Sequence, residues 1–150
     1  EDAGHEVFRF NTAFREVHPC IGCDRCRREG VCTFAADDMK RLNPHLLAAE
    51  AVVFVSPIYY FDLSAQLKAV IDRFYANDDA LHGGKRALLL TAMADEDLGA
   101  AEGADATFRS ICAYLQWENA GILNAASAST AEDLTEEDLR RAYDLGKDLK

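Results

Sequence analysis

A doubly wound α/β sheet is the fold class this chain predicts, on three observations. Two continuous apolar runs, Ala51-Val-Val-Phe-Val55 and the stretch Arg86–Met93, read as parallel strands covered on both faces. Between and after them lie segments whose apolar residues recur at helical spacing. Strand-like and helix-like segments alternate along all 150 residues, with no internal repeat and no interdomain linker. Parallel neighbours need crossover helices, so this alternation implies a sheet with helices packed on it. A chain of this length is a prior for one domain, here spanning residues 1–150.

Taken in order, His5–Phe10 alternates as His-Glu-Val-Phe-Arg-Phe and reads as an opening strand. A cysteine-bearing loop follows, covering residues 17–34. Asp37 or Asp38 then caps a short helix carrying Met39, Leu42, Leu46 and Leu47, with Pro44 predicting a break. The first apolar run ends at Ser56-Pro57, and Asp62 is placed to cap a helix over Leu63–Tyr75 whose Leu63, Leu67, Val70, Ile71 and Phe74 share one face. His82-Gly83-Gly84 is a turn before the second run. The acid- and glycine-containing loop Ala94–Gly103 leads to a helix near Ala104–Trp117 and a weaker strand at Gly121–Ala126. Thr135 and Asp138 form a capping box for a last helix, Glu136–Leu149.

A net charge of −10, with no Lys/Arg stripe, repels a phosphate backbone and argues against a nucleic-acid partner. No stretch reaches a membrane-spanning length and no signal peptide is visible, so the expectation is a cytoplasmic protein without a membrane partner. There is no G-x-S-x-G elbow, no H-E-x-x-H and no Walker loop, which leaves hydrolysis without support.

The chemistry sits in the cysteines. Four of the five, Cys20, Cys23, Cys26 and Cys32, form a C-x2-C-x2-C-x5-C run. Thiols at this spacing fit a loop folded round a metal centre, and four converging thiolates suit a cubane iron–sulfur cluster. Structural zinc usually uses two separated C-x2-C knuckles, while the ferredoxin pattern ends in an x3 gap followed by Pro, where this chain has x5 and Thr33. Spacing alone leaves cluster, zinc, and a thiol or disulfide role open. Arg25, Arg27 and Arg28 among the cysteines would stabilise thiolates. Pro19 and Gly22 allow a tight turn with amides free for sulfur. Cys112, among Phe108, Ile111 and Leu115, reads as a small buried hydrophobe, and His18 as a surface histidine.

Tyr59, Tyr60 and Phe61 follow Ser56-Pro57 at the edge where open α/β sheets bind ligands. Three aromatics in one such loop are costly unless they cover something flat and apolar. The sheet also lacks a normal beginning. A doubly wound domain opens with a strand, a phosphate-holding turn and a helix, and none of the three precedes His5. A sheet missing its central strand would leave buried backbone groups unpaired, so the domain is expected to be N-terminally incomplete by about 25–35 residues.

The segments 20–32, 51–74 and 87–117 resemble the flavodoxin-like NAD(P)H-dependent FMN reductase superfamily, and most of all its iron–sulfur flavoprotein branch. The specific pieces are the cysteine run and Ser-Pro-Ile-Tyr-Tyr-Phe at 56–61, followed by Ser64-Ala-Gln-Leu-Lys68 and Ile71-Asp-Arg-Phe74. The resemblance implies a 2-1-3-4-5 sheet, FMN at its carboxyl edge and a [4Fe–4S] cluster on Cys20, Cys23, Cys26 and Cys32. It implies cofactor contacts from Ser56, Pro57, Ile58, Tyr59, Tyr60 and Phe61, from Thr91, Ala92, Met93 and Ala94, and from Glu102 and Gly103. The family's phosphate loop has no counterpart in residues 1–150. The implied function is electron transfer between a reduced donor such as NAD(P)H, FMN and the cluster, in a homodimer or homotetramer that serves a redox protein or small-molecule acceptor. No acid–base catalytic residue is assigned. The rival readings are a cluster-free FMN or quinone reductase and a non-enzymatic redox-sensing or zinc-binding module.

Overall fold

Three parallel strands and one short antiparallel return make up the sheet of the computed structural model, which describes residues 1–149. Its strand order is β2-β1-β3-β4, with β1 at Ala51–Tyr59, β2 at Asp62–Leu63, β3 at Arg86–Ala92 and β4 at Glu118–Ala125. β1, β3 and β4 run parallel in consecutive order, pairing Ser56 with Thr91 and Thr91 with Asn124. They form the 3-4-5 side of the expected arrangement. The carboxyl ends of β1 and β3 therefore lie side by side, on the edge of the sheet outside which ligands bind in such folds.

The helices are α1 (Arg25–Glu29), α2 (Met39–Ala48), α3 (Ala65–Asp72), α4 (Asp78–Leu81), α5 (Glu102–Leu115) and α6 (Glu136–Lys147). One face of the sheet carries the core. Phe54 of β1 meets Phe74, Phe108 and Trp117 at ring-centre distances of 6.3, 5.8 and 6.5 Å. The Trp117 indole donates to the Leu81 carbonyl at 2.6 Å, satisfying its buried N–H. Cys112 is buried in this cluster, and burial pushes its thiol pKa up, consistent with an apolar role.

The other face is less covered than the apolar runs suggested. Val53 and Val55 remain 43% and 67% exposed. The reason is the position of α6, which packs on β4 instead of spanning the sheet. Gly121 permits that approach: a Cβ there would lie 2.7 Å from the Leu145 side chain, and its backbone φ is +150°. The register shift opposite Ala87 and Leu88 falls at the same point.

His5–Phe10 is not a strand. The segment is coil among the described residues, and Phe8 stacks on His45 with ring centres 3.6 Å apart. Only Phe10 of its apolar residues packs on the core, and along Ala51–Pro57 β1 has no outer partner strand among the described residues. Without a ladder, alternation alone does not make a strand. Three helix boundaries also differ from the sequence reading. Ser64, not Asp62, caps α3, its hydroxyl accepting from the Leu67 N–H, and Asp62 instead ends a hairpin. The expected helix to Tyr75 gives way to a 3-10 turn over Arg73–Asn77. α2 runs through Pro44 because packing of Met39 and Leu46 outweighs the lost backbone bond. Buried Lys85 closes that helix, its ammonium donating to the Leu47 and Ala49 carbonyls at 2.9 and 2.6 Å. The capping box of Thr135 and Asp138 opens α6 as read. No helix among the described residues is long and apolar enough to cross a membrane.

Candidate functional site

The Ser56–Phe61 segment does not end its strand at Ser56-Pro57. β1 continues to Tyr59 and folds back, pairing Ile58 with Leu63 and Tyr59 with Asp62. Tyr60 and Phe61 are the two turn residues, at φ +48° and +68°. Two positive φ values in a two-residue hairpin suit Asn-Gly, and bulky side chains there are strained. Strain of about 1–3 kcal/mol per residue persists only where the surroundings enforce it. The enforcement is visible. The buried Ser56 hydroxyl accepts from the Ser64 N–H at 2.9 Å and donates to the Pro57 carbonyl at 2.8 Å, closing the hairpin base. Asp62 accepts from the Leu63 N–H at 2.7 Å. Gly103, at the start of α5, lets the Phe61 carbonyl approach so closely that a Cβ would sit 2.2 Å from its oxygen.

The strained tip is thus held out in solvent, with Tyr59, Tyr60 and Phe61 exposed by 62%, 98% and 65%. Pro57 is exposed and Ile58 half-buried. The neighbouring Thr91–Ala94 segment divides by side. Thr91 is buried and donates to Asn124 Oδ1 at 2.7 Å, and Met93 is buried with Ala100 and Ala101. Ala92 and Ala94 are half-buried and exposed, as are Gly103 and Glu102 respectively. The surface facing solvent at this sheet edge is therefore aromatic and backbone-rich, which fits one side of a flat isoalloxazine ring.

The second half of the site is the cysteine loop, and it contains a short helix the spacing did not suggest. α1 carries Cys26, is entered through Asp24 at φ +56° and leaves through Gly30 at φ +73°. Cys20, Cys23, Cys26 and Cys32 all line one surface pocket with Thr33, Phe34 and Tyr75. Thr33 Oγ1 lies 3.2 Å from the Cys23 sulfur, and that hydrogen bond is the main cause of the lowered Cys23 thiol pKa. No group of three or more His, Cys, Asp or Glu among the described residues is arranged to hold a metal ion. The donor set is nonetheless four soft thiolates on one concavity, the chemistry a cubane uses.

The arginines between the cysteines are engaged elsewhere. Arg25 pairs with Glu29, Arg28 donates to the Cys23 carbonyl, and Arg27 bridges Asp78 and Asp79 at 2.9 and 3.1 Å while stacking over Tyr75. Arg27 docks the loop on α4, while the Arg28 charge adds a small lowering of the Cys23 thiol pKa.

Arg73, part of the Ile71-Asp-Arg-Phe74 piece but with no role assigned from the sequence, holds the loop at both ends. It is 3% exposed; its guanidinium donates to the His18 carbonyl at 2.9 Å and the Phe34 carbonyl at 3.2 Å, and to Asp37 Oδ2 at 2.5 Å. Asp37 also accepts from the His18 and Met39 amides. Burial raises the Asp37 pKa, but Arg73 and those amides outweigh it and hold the carboxyl below its ordinary value. His18 is half-exposed and stacks on Phe34 at 4.7 Å. The available signal was a charge among Val70, Ile71 and Phe74 on an apolar face.

The sequence profile of the NADPH-dependent FMN reductase family matches residues 1–128. The chain belongs to that family. Its relatives include iron–sulfur flavoproteins and quinone oxidoreductases. It is 34% identical over 85 residues to an iron–sulfur flavoprotein of Archaeoglobus fulgidus, covering 55% of this chain and 38% of that protein. It is also 30% identical over 126 residues to an FMN-dependent NADH:quinone oxidoreductase of Methylorubrum extorquens, covering 74% of this chain and 62% of the relative. The match thus spans under two-fifths of the first relative's length. Among solved structures, the Trp repressor binding protein of Bacillus subtilis superposes with a TM-score of 0.63 at 19% identity, over 75% of this chain and 76% of that one. At that identity the likeness concerns the fold.

Proposed function

We propose that this family member is a flavin-dependent oxidoreductase that exchanges electrons between FMN and a [4Fe–4S] cluster, with NAD(P)H as a candidate donor. One observation carries the reading: four thiols line one pocket, and that loop is clamped by Arg73, which follows the helix that begins at the aromatic hairpin. The cluster and flavin sites therefore share a rigid mount. When bound, FMN handles electron pairs and a cluster passes single electrons.

In this reading Cys20, Cys23, Cys26 and Cys32 hold the cluster. Tyr59, Tyr60 and Phe61, with the backbone from Ser56 to Phe61, cover the flavin ring and exclude water from it. Ala92, Ala94 and Glu102 flank the ring from β3 and α5, while Gly103 and Ser56 set the hairpin's position. A homodimer or homotetramer bringing one copy's cysteine pocket to another's hairpin belongs to the same proposal. The final acceptor is a redox protein or a small molecule.

Anaerobic purification of the full-length protein tests it. Bound FMN with iron and sulfide at about four each per chain is expected. Zinc in the pocket, or no flavin, overturns it. FMN without iron instead gives a second reading, a cluster-free quinone reductase, which is favoured by the Methylorubrum relative.

A further inference from the structure

Among Cys20, Cys23, Cys26 and Cys32, only the Cys23 sulfur has a side-chain hydrogen-bond partner among the described residues: Thr33 Oγ1, 3.2 Å away. Thr33 directly follows Cys32, so the bond crosses the loop and ties the second thiol of the run to the segment that carries the fourth. While the sulfur keeps its proton, either atom can donate. A metal-bound sulfur is a thiolate and has no proton to give. The threonine O–H must then be the donor and the Cys23 sulfur the acceptor.

The backbone holds that hydroxyl on target. Thr33 lies in a turn in which the Ala35 N–H donates to the Cys32 carbonyl at 3.2 Å. The next residue, Phe34, is fixed by Arg73 donating to its carbonyl and by its ring stacking on His18. A β-branched side chain has few χ1 choices, so a fixed backbone also fixes where the hydroxyl points. Thr33 is exposed, and a hydroxyl there would be satisfied by water at no cost to folding. The other polar side chains nearby are engaged: Arg25 pairs with Glu29, and Arg28 donates to the Cys23 carbonyl. Thr33 is left as the side chain in hydrogen-bond reach of the sulfur.

We propose that Thr33 is a positioning residue for the cluster, its hydroxyl donating to Cys23 Sγ and thereby raising the one-electron reduction potential of the bound centre. The inference rests on the cluster reading above. Reduction adds one electron and no proton, and Thr33 keeps its own proton throughout. The added negative charge is shared with the ligand sulfurs, so a donor aimed at one of them favours the reduced form over the oxidised one. In the reading above the electron comes from reduced FMN; in the titration below it comes from dithionite.

Dithionite titration of the anaerobically purified full-length protein, followed by the electron paramagnetic resonance of the reduced cluster, tests this alongside iron content. Thr33→Val keeps the shape and removes the hydroxyl. It should retain iron and weaken the reduction equilibrium about threefold to tenfold, or about 30–60 mV for one electron. Thr33→Ser restores the hydroxyl and should return the potential to the wild-type value. An equal or raised potential in Thr33→Val overturns the inference and leaves the cluster reading standing. So does a serine variant that matches valine, which would assign the shift to lost methyl packing. If Thr33→Val loses its iron, the serine variant decides. Iron kept by serine supports a hydroxyl that holds Cys23 in place, and iron lost from both overturns it. A wild type without iron overturns the cluster reading and this inference with it.

Discussion

Gly103 sits under the carbonyl of Phe61, at a distance that leaves no room for even a methyl group. The contact joins the start of α5 to the tip of a hairpin that carries three exposed aromatics. It explains why a helix begins with glycine in its first turn, where alanine would be about 1 kcal/mol better by propensity.

Gly103→Ala therefore sets propensity against overlap. The overlap is with backbone, which cannot rotate away, and overpacking of this kind costs about 1–3 kcal/mol. A net loss of stability in urea unfolding is expected, together with weaker FMN binding because the hairpin tip must move. A stabilised variant would show that the tip is free to shift.

Replacing Tyr60-Phe61 with Asn-Gly tests the strained turn. Asn-Gly is the favoured pair for two positive φ values, so the double variant should gain about 1–2 kcal/mol in unfolding free energy. Under the flavin reading it loses the aromatic cover, and FMN affinity falls. Higher stability with unchanged affinity would separate the strain from the site.

Arg73→Met leaves Asp37 as an uncompensated buried carboxylate, for which a loss of about 3–5 kcal/mol is expected. Arg73→Lys keeps a charge but cannot reach Asp37, His18 and Phe34 together, so it should recover stability only in part. Faster alkylation of Cys20 and Cys32 in the lysine variant, with unchanged circular dichroism, is the signature of a freed loop. Equal alkylation rates would mean the arginine is only a core ion pair.

Acid should act on the same clamp. The folded pKa of Asp37 is depressed, so its stabilising contribution is present above the unfolded value of about 3.9 and is lost as pH falls through the folded value. Stability measured from pH 6 downwards should decline less steeply in Asp37→Asn, which starts lower but no longer binds that proton. Parallel curves would assign the acid sensitivity to other carboxylates.

Cys26→Ser removes one thiol from α1 without touching the sheet. Iron content should fall to background while circular dichroism is retained. Unchanged iron would refute the four-cysteine ligand set.

The sequence by itself determined the parallel core of this protein. Continuous apolar runs such as Ala87–Leu90 have one stable environment, and the Thr135/Asp138 capping box and the cysteine run are local patterns whose physics lies within a few residues. It also placed Ser56–Phe61 and Gly103 near the crevice, though not their geometry. Tertiary structure alone decided the rest. Positive φ at Tyr60 and Phe61 contradicts what those residue types prefer, and it exists because the Ser56–Ser64 bond closes the hairpin base and Gly103, distant in sequence, receives its tip. His5–Phe10 had the alternation of a strand but no ladder partner. Arg73 and Asp37 stand 36 positions apart. Such features come from packing between elements, and local periodicity carries no record of which elements will meet.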